Sequence, residues 1–277
     1  MGLRINTNVT SLAAQRTLGQ NNMEQASTLN KLSSGTRITK ASDDAAGLAI
    51  SEKLKANIRG MQQAERNAND GISMIQVAEG GLQEVGNILI RMRELSVQSA
   101  SDTVGDKERS FTDLEYQNLK QEIERISQVT EFNGKKLLNG EGETYDFQIG
   151  IHNDDFQDRI KFDSSLLNSS IGNLGVDSIA VSSKEDAQSS LATLDEAIQK
   201  VSGQRAELGA KQNRLSSTVS NLQVSTENLS AANSRIRDTD YAAETAKNTK
   251  LNILTNAGSS VLAQSNAQGQ AALKLIG

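Results

Sequence analysis

Aliphatic residues recur every seventh position along the C-terminal half of the chain: Leu194, Val201, Leu208, Leu215, Leu222, Leu229 and Ile236. The row three positions earlier reads Leu191, Ile198, Arg205, Gln212, Val219, Thr226 and Asn233, and is half polar. One purely aliphatic stripe beside a mixed one predicts a long helix with a coiled-coil seam, its polar members setting register. The N-terminal half carries an answering pattern. Ile75, Leu82 and Leu89 form one row, and Ala78, Val85 and Met92 another, with Gly80, Gly81 and Gly86 between them. Neither apolar face can be buried by its own helix, so the two regions are expected to pack together despite their separation in sequence.

A further helix is expected from about Asp106 to Thr130, with Leu114, Leu119, Ile123 and Ile126 as its apolar face, joined to the preceding helix by "SASDTVGD". The middle of the chain changes character. "FNGKKLLNG" contains Asn133-Gly134 and Asn139-Gly140, the strongest short-range turn signal. "TYDFQIGI" and "DRIKFD" then read as short strands around the polar loop "HNDDFQ", and "SSLLNSSIGNLG" reads as a loop. The expected fold is mainly α: an elongated antiparallel helical coiled-coil bundle with a small central β-hairpin region. Four segments follow from the pattern: 1–45, an N-terminal helix and the start of a connector; 46–180, N-terminal helices plus the hairpin region; 181–236, one long helix; and 237–277, a C-terminal helix. The two end segments are amphipathic but rich in Asn, Gln, Ser and Thr. Such segments cannot bury enough apolar area to order themselves alone, so they are expected to fold against a partner.

The stretch "KLSSGTRITKASDDAAGLAIS" separates the first two helices. Gly35 is expected to end the first. Ser42 reads as the N-cap of the second, with Asp43 and Asp44 in its first turn, where negative charge satisfies the helix dipole and the free N–H groups. No His and no third carboxylate lies near, so the Asp pair reads as helix geometry rather than as a catalytic or metal site.

Composition narrows the function classes. There is no Pro and no Trp, and aromatics make up 3%, which suits long helices packed through Leu, Ile, Val and Ala. The absence of Cys points to a chain that is intracellular or exported without disulfides. "MGLRINTNVTSL" lacks the apolar run of a signal peptide, and no stretch approaches membrane-spanning length, so no membrane insertion is expected. The net charge of −5, with both signs interspersed, argues against a nucleic-acid partner. The one histidine, His152, sits in a polar loop and cannot supply an HExxH site. "HNDDFQD" lacks the spacing and the Gly of an EF-hand. No catalytic residue, metal site or cofactor is expected. Asn8, Asn168 and Asn228 stand in N-x-S/T sequons and read as chance matches.

Six stretches, in order, carry a resemblance: "RINTNVTSLAAQRTL", "LSSGTRITKASDDAAGLAIS", "NDGISMIQVAEGGLQEV", "RMRELSVQSAS", "FNGKKLL" and "RIRDTDYAAETAKNTKLNIL" with the following "SVLAQSNAQ". Through them the chain resembles bacterial flagellin, in a short form without the outer variable domains. The resemblance implies an extracellular structural subunit that polymerises with itself into the filament used for swimming, its terminal helices ordering on assembly in an inner tube. It implies type III export, an export chaperone on the C-terminal segment, a filament cap and hook-junction proteins as partners. A hook–filament junction adaptor, which shares the terminal helices, is the second reading, and an enzyme a distant third. Some members of that family are O-glycosylated in the central segment, here the region of Ser164, Ser165, Ser169 and Ser170. Finally, the resemblance implies recognition by an animal Toll-like receptor through Arg91, Leu95 and Glu115. Folding the two helices back about Thr103 places Arg91 opposite Glu115 and Leu95 opposite Phe111, as one expected surface patch.

Overall fold

The computed structural model describes residues 7–274, with side chains through residue 267. The outermost parts of the expected end segments, 1–6 and 275–277, lie outside the described residues. The chain divides into two compact units: residues 1–56 with 228–277, and residues 57–227.

Six helices and two small hairpins make up the described chain. In order they are α1 (Val9–Ser34), α2 (Ala45–Ser99), α3 (Asp106–Val129), β1 (Glu131–Phe132), β2 (Lys135–Lys136), β3 (Thr144–Gln148), β4 (Arg159–Asp163), α4 (Ile171–Leu174), α5 (Lys184–Arg237) and α6 (Tyr241–Lys274).

The unit of residues 57–227 is built on the seam between α2 and α5. Ile75, Leu82 and Leu89 on α2 are fully buried, as are Ala78, Val85 and Met92 beside them. Leu194, Val201, Leu208 and Leu215 answer them on α5, with Leu222 at the margin. The pairing is antiparallel. Going down α2 and up α5, Ser96 meets Ser190 at 2.9 Å, Arg93 meets Asp195 at 2.6 Å, Gly86 lies against Val201, Glu79 meets Arg205 at 3.6 Å and Glu65 meets Gln223 at 2.7 Å. The half-polar companion row, including Arg205, Gln212 and Val219, is half-buried throughout. It flanks the aliphatic row and supplies register. Leu229 and Ile236 continue the heptad into the other unit, where each is only half-buried.

Helix α3 folds back onto this pair with most of its expected face inward, the exception being Leu114. Leu114 is 66% exposed, whereas Tyr116 and Ile123 are buried and Leu119 and Ile126 pack partly against the core. The stripe is completed by Arg109 and Lys120, whose stems are covered while their charged ends cap backbone carbonyls. Arg109 donates to the Ser99 carbonyl at 2.9 Å and to the Ser101 carbonyl at 3.0 Å, which fixes the loop between α2 and α3. Lys120 donates to the carbonyls of Asp177 and Ile179. The Tyr116 phenol lies near Ser96 and Ser190, and burial pushes its pKa up to about 12.

The central segment lies on α2 and α5. β1 and β2 form a hairpin closed by Asn133 and Gly134, both at positive φ, as a two-residue turn of mirror-image type requires. β3 and β4 pair antiparallel from Thr144 opposite Asp163 to Gln148 opposite Arg159. Glycines on α2 admit these partners: the Phe147 ring rests on Gly71, where a Cβ would be crowded, and Leu138 and Thr130 rest on Gly81, where a Cβ would collide. The stretch expected as plain loop contains a 3-10 turn at Ser165–Leu167 and the single-turn α4, whose inward Leu167 and Leu174 are buried.

The unit of residues 1–56 and 228–277 holds α1 against α6, also antiparallel. Asn8 Nδ2 donates to the Ser265 carbonyl at 2.9 Å, Ser11 to Asn266 at 2.8 Å, and Glu24 pairs with Lys247 at 3.2 Å. Gly258 packs on Leu18. Asn8 also caps α1 by accepting from the Ser11 N–H.

The seam assignment predicts a sharp contrast between neighbours. Leu215→Ala should destabilise residues 57–227 by about 2–5 kcal/mol, because Leu215 is fully buried. Ser216→Ala, at an exposed position, should leave the thermal transition within about 0.5 kcal/mol of wild type. Equal shifts in thermal unfolding would contradict the seam.

Candidate assembly surface and connector

What the terminal helices lack is an interior. Among the described residues of α1 and α6, the buried side chains are Ser11, Thr28, Leu251 and Ser265, of which one is apolar. Val9, Leu12, Met23 and Leu29 on α1, and Tyr241, Ile253, Leu254 and Val261 on α6, stand exposed. The interface between the two helices is polar, and several of its atoms lack a hydrogen-bond partner within the chain: Thr28 Oγ1, Glu244 Oε1, Asn248 Oδ1 and Thr255 Oγ1. Buried polar atoms left so are costly. A helix pair with most of its large apolar side chains outward and several polar ones unsatisfied is suited to further copies packing around it.

The connector between α1 and α2 is tied to the break between α5 and α6. Gly35 ends α1 in the left-handed conformation at φ +67°. Thr36 then bridges Asp238. The Arg37 N–H donates to the Arg237 carbonyl at 2.7 Å, and the Thr239 N–H donates to the Gly35 carbonyl at 3.0 Å. The Arg37 guanidinium caps the end of α5 through the Ile236 carbonyl at 2.7 Å. Arg237 in turn reaches Glu52 at 2.5 Å and Ser51 at 3.2 Å. Ile38, next along the connector, is buried and lies against Gly47 of α2. Sequence reasoning missed Arg37 and Arg237 as a pair. The only signal was that "SGTRITK" and "RIRDTD" each interrupt a long heptad pattern.

The cap of α2 differs from expectation. The helix begins at Ala45, and Asp44 is its N-cap: Oδ1 accepts the Gly47 N–H at 2.8 Å. Ser42 lies in the turn before it and makes no cap bond to α2. Asp43 closes that turn. Its carboxylate accepts the N–H groups of Lys40 and Thr39, each at 3.0 Å, and the Thr39 hydroxyl at 2.9 Å. These bonds, the Lys40 N–H foremost, hold its pKa below the ordinary carboxylate value. A cap bond needs a donor three residues on, and Gly47 is the position where one fits. Any Cβ there would stand 2.4 Å from the Asp44 carboxylate and 2.8 Å from Ile38.

Of the three residues expected as one surface patch, the structure brings two together. Arg91 donates to Glu115 through both Nε and a terminal nitrogen at 3.0 Å, and to Glu94 at 3.0 Å. The two carboxylates, Glu94 first, raise the pKa of Arg91. Leu95 is not part of this surface. It is 2% exposed and belongs to the core, whereas Phe111, expected beside it, is 73% exposed. Four residues along a helix from Arg91 is near enough to share a face, but Leu95 is turned into the core cluster while Arg91 stays at the surface.

In the central segment, Ser164 and Ser169 are buried, with hydroxyls bonded to the carbonyls of Glu143 and Leu138, while Ser165 is exposed. In the "HNDDFQD" loop, the Asp158 carboxylate accepts the N–H groups of Asp154 and His152, and Asp154 accepts those of Phe156 and Gln157. The acids there fold the loop. Among the described residues no group of His, Cys, Asp and Glu is placed to hold a metal ion, and no helix is long and apolar enough to cross a membrane.

Comparison with known proteins matches both halves. The bacterial flagellin N-terminal helical region fits residues 5–143, and the bacterial flagellin C-terminal helical region fits residues 191–276. A flagellin of Halalkalibacterium halodurans is 45% identical over 272 residues, covering 98% of this chain and 99% of that one. The flagellar filament 33 kDa core protein of Treponema phagedenis is 44% identical over 285 residues, covering 98% of this chain and 99% of that one. Among solved structures, the crystal structure of Bacillus cereus flagellin aligns with a TM-score of 0.50 at 29% identity, covering 61% of this chain and 94% of that one.

Proposed function

The chain belongs to the bacterial flagellin family, and from that premise we propose that its terminal helices order as copies pack together, so that folding and polymerisation are one step. The chain is a structural subunit of the extracellular flagellar filament, which it forms with copies of itself; its role is not enzymatic. The observation that carries the coupled step is the contrast between the two units. Residues 57–227 bury a continuous aliphatic core. Among its described residues the α1–α6 pair buries one large apolar side chain, Leu251, half-buries Leu18, Leu32 and Leu262, and leaves Val9, Leu12, Met23, Leu29, Tyr241, Ile253, Leu254 and Val261 exposed. Apolar area of that kind is worth about 25 cal/mol per Å² once covered, and ordering on association is the behaviour of segments too polar to fold alone.

The domain division follows the same contrast. Residues 1–45 and 237–277 act as the assembling ends, while 46–180 and 181–236 supply the self-sufficient part and the connector. Ends that are unfolded before assembly also suit export through a narrow channel. An export chaperone on the apolar face of α6, a cap at the growing tip and hook-junction proteins complete the partners in this reading.

Limited proteolysis of the monomer should remove roughly the first 45 and last 40 residues and stop. The trimmed chain should keep the thermal transition of its core and fail to form filaments under conditions where the intact chain does, as seen by electron microscopy. Ends that survive digestion in the monomer would contradict the coupled step.

We further propose Arg91 and Glu115 as the contact with an animal Toll-like receptor. Support comes from the family resemblance of "RMRELSVQSAS" and from the half-exposed pair itself, whose side chains are 50% and 47% accessible. Leu95, being buried, serves to hold α2 against α3 beneath them. In a reporter assay with monomer, Arg91→Ala should lose about tenfold or more in potency. Arg205→Ala, in the seam with Glu79, should lose less. A folded wild-type monomer that stays silent would overturn the contact.

A further inference from the structure

The two Asn-Gly pairs of the central segment are alike in sequence and unlike in structure. Asn133 occupies the tip of the β1–β2 hairpin at φ +52° and is, among the described residues, the one non-glycine with positive φ. It is exposed, and its side-chain amide makes no hydrogen bond. The Gly134 that follows has open space on every side where a Cβ would stand. The Gly134 N–H is at the second central position of the turn and takes no part in the ladder, which pairs Phe132 with Lys135. Asn139 is held instead. Its carbonyl oxygen accepts the Glu141 N–H at 3.2 Å, and its amide nitrogen donates to the Glu141 carboxylate at 3.1 Å. Gly140 is crowded by Asn168, whose side-chain nitrogen lies 2.2 Å from where a Cβ would be.

We propose that Asn133 is a site of spontaneous deamidation in the folded protein, and that Asn139 is protected from the same reaction. The Gly134 amide nitrogen, after losing its proton to base, attacks Cγ of Asn133. A C–N bond forms, the bond from Cγ to Nδ2 breaks, and Nδ2 leaves as ammonia with the proton returned from the medium. The product is a five-membered succinimide. Water then adds to one of its two carbonyls and opens the ring to aspartate or isoaspartate. The net reaction consumes one water and releases one ammonia, with no change in oxidation state. Glycine at 134 favours the first step because no side chain shields the attacking nitrogen. At Asn139 the same attack has to break both bonds to Glu141 and move a glycine packed on Asn168.

The isoaspartate product matters structurally. It lengthens the main chain within a turn whose two central residues both need positive φ. The strands next to that turn lead directly into Leu137 and Leu138, which are fully buried, and into the Leu137 N–H bond to the Thr130 carbonyl at 3.1 Å. Conversion therefore loosens the hairpin that packs on Gly81 of α2, in a subunit that sits outside the cell.

The test is peptide mapping by mass spectrometry of the full-length chain, incubated folded at mildly alkaline pH, with both Asn-Gly peptides followed in the same digest. Asn133 should convert about tenfold faster than Asn139, the factor that about 1.4 kcal/mol of lost side-chain bonding corresponds to. Isoaspartate should appear at 133, detected by an isoaspartyl methyltransferase label. In denaturant the two rates should converge, since the difference lies in the fold. Equal rates in the folded chain, faster conversion at Asn139, or a ratio unchanged by denaturant would each overturn the proposal.

Discussion

One antiparallel register governs the molecule's self-sufficient part: the aliphatic row of α5 laid along that of α2. It is fixed at both ends and between them, by Ser96 with Ser190, Arg93 with Asp195, Glu79 with Arg205 and Glu65 with Gln223. A slip of one heptad would still match aliphatic to aliphatic. It would break every one of these polar pairs, which is how mixed seams specify a single alignment. Everything else in residues 57–227 rests on that alignment. The Tyr116 phenol has its place because Ser96 and Ser190 face each other. The hairpins can dock because Gly71 and Gly81 are on the open side of α2.

The terminal unit obeys the opposite rule. Its helices meet largely through Asn, Ser, Thr, Gln and a Lys–Glu pair, and most of their large apolar side chains are exposed. A filament subunit needs both kinds of surface. In the proposed coupling of folding to assembly, one part holds its shape unaided and the other gains its stability from neighbours. The knot of Gly35, Arg37, Arg237 and Asp238 holds the two ends of the terminal pair together, so that α1 and α6 meet in register.

Much of this was legible in the sequence wherever a side chain's polarity reported its position. The heptads of α5, the rows of α2, both strands of the larger hairpin and the Asn133-Gly134 turn all follow that rule. The polar ends also announced themselves by composition. The misreadings share a cause, which is a side chain whose location depends on its tip. Arg109 and Lys120 lie inside because their charged ends find carbonyls, and they displaced Leu114 from the inner face of α3. Ser42 and Asp44 are both good caps in isolation, and the choice fell to the residue three before a glycine with room for the bond. Leu95 shares its spacing with Arg91, but only the packing of α3 decides that one turns inward and the other out. The pairing of the two connectors is a contact between distant segments with no periodicity to reveal it.

We infer that the terminal helices draw their stability from neighbouring copies and the α2–α5 seam from itself. Amide hydrogen exchange, measured residue by residue on monomer and on filament, separates the two directly. Amides of 75–95 and 194–222 should be strongly protected in both states, while those of α1 and α6 should exchange fast in the monomer and slowly in the filament. Terminal helices as well protected in the monomer as the seam is would contradict it.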